Sequence, residues 1–290
     1  MSTATETLGP GAAAAGIRPL PTLLDAVGWE VRKLSAQIRA RAVLLLMVIA
    51  PPLIVVIVNG QGRPPKDTLF GRYVHDSGYA MPLLILGFAS QWVLPMLTAI
   101  VAGDIFAAED HHGTWKTLLT RSASRGQVFW AKAITSIAFA IVAVVLLAAS
   151  TIGSSVLIVG HQQLTGLGGQ LIPSGTAAWL VGLSWATALA PMIGFTCLAL
   201  LLSIWTRNPA FGIAAPVVIG LTMQLVGTLG GIEALRPLLL TTPFESWHGL
   251  LAQERFYGPL TSGLVASAVW SIGCLAAGYL IMRRRDFTGG

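Results

Sequence analysis

The residues best suited to chemistry lie in one short stretch, FAAEDHHGTWKTLLTRSASRGQ, from Phe106 to Gln127. It carries two acids and two histidines in the run 109–112, and Asp104 lies just before it. Such side chains are common metal ligands and general acids or bases. Their types alone therefore predict a metal site or an acid–base catalytic site.

The spacing of these residues argues against a metal site. Neighbouring side chains such as His111 and His112 point about 100° apart on a helix, and the chain has no His-Glu-x-x-His pattern. It also lacks a Gly-x-Ser-x-Gly turn, and no glycine is followed by lysine, which excludes a Walker A phosphate loop. Two other interpretations remain: a solvated loop, or a docking helix that presents Trp115, Leu118 and Leu119 to a partner protein's groove.

Composition predicts the elements around this stretch. Of 290 residues, 54% are hydrophobic and 10% are charged, and the mean hydropathy is +0.73. Charge-free runs of the length that a spanning helix needs predict an all-α polytopic membrane protein with six transmembrane helices. We predict spans at about 42–60, 81–103, 130–159, 176–204, 211–230 and 259–282, with a Gly-rich hairpin at 160–175.

The distribution of positive charge predicts the topology. Thirteen of the 18 lysines and arginines lie before the first span or after the second, fourth and sixth, and five lie in the alternate loops. Because lysine and arginine mark the cytoplasmic side, we predict a multi-pass protein of the cytoplasmic (inner) cell membrane with both termini inside. Residues 1–17 are predicted to be a disordered cytoplasmic tail.

Two segments outside the spans have patterns of their own. Residues 18–41 carry apolar side chains at helical spacing, which predicts an amphipathic elbow helix in the cytoplasmic interface, ahead of a transmembrane domain at 42–290. Residues 231–258, between the last two spans, are amphipathic and aromatic. We predict that they form one or two short helices that lie on the outer leaflet or re-enter it.

With these features the chain resembles the ABC-2 type permeases, the membrane subunits of ATP-driven exporters of structural type V. That family has an acid, then Gly-Thr, two aliphatic residues, a Ser-Arg and a lysine that opens the third span. The matching positions here are Glu109, Gly113, Thr114, Leu118, Leu119, Ser124, Arg125 and Lys132. The elbow run of Trp29, Glu30, Arg32 and Lys33 is also similar to the family. The chain departs from the pattern at 122–123, where the family often has proline before Ser-Arg.

The resemblance implies a half-transporter. Two permease chains, identical or related, would pair, and each would dock a separate ABC ATPase subunit at a cytoplasmic coupling helix in segment 104–120. The partner ATPase would bind ATP and Mg, so this chain would hold no cofactor and would not be an enzyme. The residues expected to serve docking are Asp104, Glu109, Gly113, Thr114, Trp115, Leu118, Leu119 and Arg125.

The resemblance also implies the cargo and its path. A hydrophobic or amphipathic drug, lipid, peptide or glycan-lipid would move outward through a cavity between the first, second and fifth spans. Two alternatives stay open: a polytopic membrane enzyme that uses the cluster Asp104–His112, and a non-transporting membrane anchor or immunity partner.

Overall fold

Among the residues that the structure describes, six helical segments are long and apolar enough to cross a membrane, as the composition predicted. The structure is a computed structural model, and it describes residues 21–62, 65, 67–115, 124–231 and 233–285. The tail predicted at 1–17 lies outside the described residues. The described part of the chain is helical apart from its connections and one small hairpin, so the expected all-α polytopic class is confirmed.

A single extended residue separates the first two helices. α1 (Leu23–Ala36) ends at Gln37, which has φ −74° and ψ 128°, and α2 (Ile38–Gly60) begins directly after it. The helix before the first span is therefore shorter than the segment 18–41, and that span begins before residue 42. Arg39 belongs to the spanning helix because the chain turns at Gln37.

Hydrogen bonds at its first turn fix the start of α1. The Thr22 hydroxyl accepts the backbone N–H of Asp25, and the Asp25 carboxylate accepts the backbone N–H of Thr22. The Thr22 backbone N–H, and then the Thr22 hydroxyl, donate to the Asp25 carboxylate and hold its pKa below the usual range. Leu24, Trp29 and Val31 are exposed on α1, whereas Glu30 is buried. The helix thus offers an apolar face outward while it directs one acid inward.

The second span is interrupted in its middle. α3 (Ala80–Phe88) and α4 (Leu94–Ala102) are joined by a π-helical turn at Ala89–Val93. Pro95 has no N–H with which to bond the carbonyl of Gln91 in the α-helical pattern, so a wider turn is the expected local response.

The third span and its hairpin follow the predicted order. After the short helix α5 (Ala107–His111), α6 (Arg125–Ile158) forms the third span. The Gly-rich segment then folds into two antiparallel strands, β1 (Leu164–Thr165) and β2 (Leu171–Ile172), with Leu164 opposite Ile172.

The fourth span forms the centre of the bundle. It consists of α7 (Ser174–Thr187) and α8 (Leu189–Thr206), which are broken at Ala188 because Pro191 cannot donate to the carbonyl of Thr187. In the most apolar 18-residue stretch of this span, 78% of the residues are buried, far more than in the first, fifth or sixth span. α8 contacts α4 and α6, so residues on α8 can support both.

At one point the backbones of the fifth and second spans meet without intervening side chains. α9 (Pro209–Thr228) begins beside the end of α4, where Gly212 faces Gly103. A Cβ built on either glycine would overlap the carbonyl oxygen of the other. Only glycine permits this close approach of two helix backbones.

Two 3-10 helices, Arg236–Leu238 and Thr242–Leu250, precede α10 (Gly258–Arg284), the sixth span. Phe244 and Trp247 are buried where the second of them packs on α10 and α7. The segment predicted to form short helices therefore closes one end of the bundle. α1, α5 and the start of α6 lie at the opposite end.

Candidate functional site

The chain leaves the second span through a short buried helix. The hydroxyl oxygen of Ser203, on α8, accepts the backbone N–H of Phe106 at 3.2 Å and that of Ala107 at 3.0 Å. N–H groups at the start of a helix have no partner within it. Ser203 therefore supplies the bonds that let α5 begin in the protein interior.

A Gly-Thr turn ends α5. Gly113 has φ +64°, a left-handed conformation that favours glycine and terminates helices. Thr114 then donates its backbone N–H to the carbonyl oxygen of Glu109 at 3.1 Å and its hydroxyl to the Glu109 carboxylate. The motif residues Glu109, Gly113 and Thr114 thus form one local unit, because the turn at Gly113 brings the Thr114 hydroxyl within hydrogen-bonding distance of the Glu109 carboxylate.

Glu109 binds two lysines from distant parts of the chain. Its side chain is 2% exposed, and its Oε1 lies 2.9 Å from Nζ of Lys132, which is fully buried. Lys33 of α1 donates to the same oxygen. Lys132 also binds Oε1 of Glu30 at 3.0 Å. A buried charge costs several kcal/mol unless it is paired and hydrogen-bonded, so these four side chains fix α1, α5 and α6 against one another.

Two further ion pairs extend this group. Arg39 of α2 binds the buried Asp104 at 2.5 Å. Asp110 accepts two hydrogen bonds from the Arg285 guanidinium, one of them at 2.9 Å from Nη1. Four carboxylates thus meet four cations. We call these eight residues the ionic cluster: Glu30, Lys33, Arg39, Asp104, Glu109, Asp110, Lys132 and Arg285.

Trp115 lies inside the protein, where we had expected a side chain presented to a partner. It is 5% exposed and stacks on Phe106, with 6.4 Å between ring centroids. The guanidinium of Arg285 lies 5.7 Å from the centroid of its ring. The expectation of an exposed indole was wrong because α5 turns the chain back toward the bundle at Gly113.

The other residues singled out in the sequence divide into three groups. Arg125 donates to the carbonyl oxygens of Arg283 at 3.1 Å and Arg285 at 2.7 Å, so it ties the start of α6 to the end of α10. Trp29 and Arg32 are exposed on α1 outside the ionic cluster. Leu118 and Leu119 lie outside the described residues.

The two histidines remain apart from the acids. His112 contacts the carbonyl oxygen of Ala108 through Nδ1 at 2.6 Å, and the ring of His111 meets that of His112 edge to face. Among the described residues, no group of three His, Cys, Asp or Glu side chains could hold a metal ion. The nearby acids Glu109 and Asp110 bind cationic side chains instead.

Sequence reasoning named Lys132 as a motif position and Asp110 within the acidic run, but it identified no ion pair for either and did not single out Arg39 or Arg285. One signal was available for Lys132, which stands directly before a long charge-free run of a spanning segment. A cation so close to the membrane requires a partner within the protein. Its partners are 23 and 102 residues away in sequence, so local spacing could not reveal them.

Comparison with known proteins identifies the family of the chain. The model of a family described as "ABC-2 family transporter protein" matches residues 26–223, which include all of the ionic cluster except Arg285. Comparison with curated proteins gave no match. The matched range covers more than half of the chain, from α1 well into α9. The chain therefore belongs to the ABC-2 family of transporter proteins and is a multi-pass permease component of an ABC transporter.

Proposed function

We propose that this permease docks a separate ABC ATPase subunit at residues 104–120, the docking segment, and that ATP hydrolysis by that subunit drives export of a hydrophobic or amphipathic substrate. The observation that carries the proposal is the ionic cluster. It joins the start of the docking segment to α1, α2, α6 and the residue after α10.

The ionic cluster gives the docking segment a way to transmit force. Separating Glu109 from Lys132 would break a buried ion pair, at a cost of several kcal/mol. A push on the segment therefore moves α1 and the start of α6 with it. In this proposal Leu118 and Leu119 contact the ATPase, while Trp115 supports the segment from inside.

We place the ionic cluster, and with it both termini, on the cytoplasmic side. Lys33, Arg39, Lys132 and the run 283–285 all lie at this end of the bundle. The positive charge at this end supports the assignment. An ATPase that binds cytoplasmic ATP and Mg would then meet the docking segment directly.

We also propose that two permease chains pair in the membrane. In the most apolar 18-residue stretch of α2, 22% of the residues are buried within the chain, and in that of α9 the share is 17%. Their remaining apolar surface supports contact with lipid and with a second permease chain. The substrate cavity of the proposal lies between these helices and the second span.

Co-purification tests the docking proposal. Full-length permease would be co-expressed with an ABC ATPase identified by its Walker A motif, and retention of the ATPase and permease-dependent ATP hydrolysis would be measured. Burying one leucine contributes about 1.5–3 kcal/mol, so the double substitution Leu118→Ser with Leu119→Ser should weaken retention at least about tenfold.

Leu171→Ser provides the matched control, because Leu171 is an exposed leucine of β2 at the opposite end. It should leave retention and ATP hydrolysis unchanged. Unchanged retention in the double variant would place the ATPase elsewhere and overturn the docking proposal. Substrate efflux that continues with a catalytically inactive ATPase would instead contradict ATP-driven export.

A further inference from the structure

A cavity of about 270 Å³ lies at the end of the bundle opposite the ionic cluster. It is an open cavity lined by the loop 68–70, by the second span from α3 into its π-helical turn, and by the Thr242–Leu250 helix. Leu83 and Leu84 form part of its apolar wall. Pockets that bind small molecules are typically apolar, with a few well-placed polar groups.

Aromatic rings dominate two sides of the cavity. Phe70 and Trp247 are buried with 5.9 Å between their ring centroids, and His248 lies against Trp247 at 4.1 Å. Phe88, at 55% exposure, and Leu69, at 52%, lie at the rim. Exposed apolar side chains therefore border the cavity.

The cavity has a negative charge without a contacting cation. Within the described part of the chain, the Glu245 carboxylate makes no hydrogen bond and no ion pair. Burial raises the pKa of Glu245, and Arg236 opposes this only from a longer distance, because its Nη2 donates to the carbonyl oxygen of Leu229 instead. Burial lowers the pKa of His248, so its imidazole is neutral at neutral pH and does not compensate the acid.

The π-helical turn provides a second, independent feature of the same cavity. Single π-helical turns occur often at functional sites, and this one brings Ser90 and Gln91 to the cavity wall. The Ser90 hydroxyl donates to the carbonyl oxygen of Gly87 at 3.0 Å, so its oxygen retains acceptor capacity.

We propose that this cavity binds an amphipathic cation, a molecule with one positive group and an aromatic or aliphatic body. The cation would lie near Glu245, since cations are attracted by carboxylates. The apolar body would occupy the space beside Leu83 and Gly87. Binding here does not require an ATPase, so the inference stands apart from the docking proposal.

Binding of a fluorescent cation to the full chain tests the inference. The probe is dimethylaminostyryl-N-methylpyridinium, and the matched ligand is its uncharged parent pyridine at mildly alkaline pH. Titrations would use the permease in phosphatidylcholine nanodiscs, with empty nanodiscs subtracted. We expect saturable binding of the cation and weaker binding of its neutral analogue.

Two substitutions locate the binding site. Glu245→Gln removes the charge and should weaken cation binding about fivefold, the effect of roughly 1 kcal/mol, without changing the affinity of the neutral dye. Gly87→Leu fills the cavity, because a Cβ at Gly87 has open space around it, and should weaken both dyes about tenfold or more. The controls are Glu254→Gln, at an exposed acid outside the cavity, and Gly182→Leu, at an open glycine of α7.

The controls should bind both dyes like the wild type. Equal affinity of the wild type for the two dyes would overturn the inference, and so would a control variant that weakens binding as much as its partner. If Gly87→Leu fails to fold, the affinities of the two dyes for the wild type and for Glu245→Gln still decide whether Glu245 contributes to cation binding. ATPase retention plays no part in these measurements, so docking and ligand binding can fail separately.

Discussion

The two ends of the helical bundle differ in whether their charged side chains are paired. At one end, Lys132 and Glu109 are buried and paired, within a cluster of equal positive and negative charge. At the other, Glu245 has no contacting cation in the described part of the chain and borders an aromatic cavity. A buried ion pair stabilises one arrangement of the helices that carry it, because other arrangements would separate the two buried charges. An unpaired charge beside a cavity can gain a partner from outside.

The largest expected effect breaks the paired end. Lys132→Ala would leave Glu30 and Glu109 buried without their shared cation, so we expect the free energy of unfolding to fall by about 3–5 kcal/mol. Denaturant titration of the permease in mixed micelles measures this change. Lys33→Ala is the control, because Lys33 binds the same carboxylate oxygen of Glu109 from a half-exposed position.

The control should cost less than about 1 kcal/mol, as exposed ion pairs do. Equal losses of unfolding free energy in the two lysine variants would mean that burial does not determine how much each ion pair of the cluster contributes to stability. The comparison between the two ends would then lose its physical basis.

A somewhat smaller effect is expected at the aromatic end. Trp247 is 2% exposed, and Trp247→Ala should lower the free energy of unfolding by about 3 kcal/mol through lost packing. The loss should be insensitive to salt, because no charge is removed. Trp179→Ala, at a 69% exposed tryptophan of α7, should change stability far less. Similar losses at both tryptophans would show that the Thr242–Leu250 helix is not packed as described.

The smallest effect sharpens the comparison within the paired end. Ser203→Ala removes the acceptor for the N–H groups of Phe106 and Ala107, and we expect a loss of about 1–2 kcal/mol. Ser154→Ala is the control, since the Ser154 hydroxyl donates only to carbonyls of its own helix. Hydrogen exchange should show the added opening at α5. Protection of α5 that equals the wild type would contradict the capping role.

Much of the fold could be predicted from the sequence because it depends on local composition. Charge-free runs of membrane length identified the six spans, and the Gly-rich run 160–175 identified the hairpin. The Gly-Thr pair was also recognised as a signal, and its reason is local: Gly113 adopts a positive φ and Thr114 bonds Glu109.

The contacts that build the site could not be predicted in this way. Glu30 and Lys132 stand 102 residues apart, and only the packing of α1 on α6 brings them together. The direction of Trp115 was predicted wrongly because its apolar ring fits a protein groove and a protein interior equally well. Pro95 and Pro191 stand within predicted spans, but the π-helical turn and the break at Ala188 depend on which carbonyls lose their donors.

The contact between Gly103 and Gly212 has a mechanical consequence. Side chains at a helix crossing act as a soft layer, since they can absorb small displacements by changing rotamer. Here that layer is missing, and the end of α4 rests directly on the start of α9. A displacement of the end of α4 would therefore meet the backbone of α9 with no side chain between them, and the other end of α9 leads to the segment that borders the cavity.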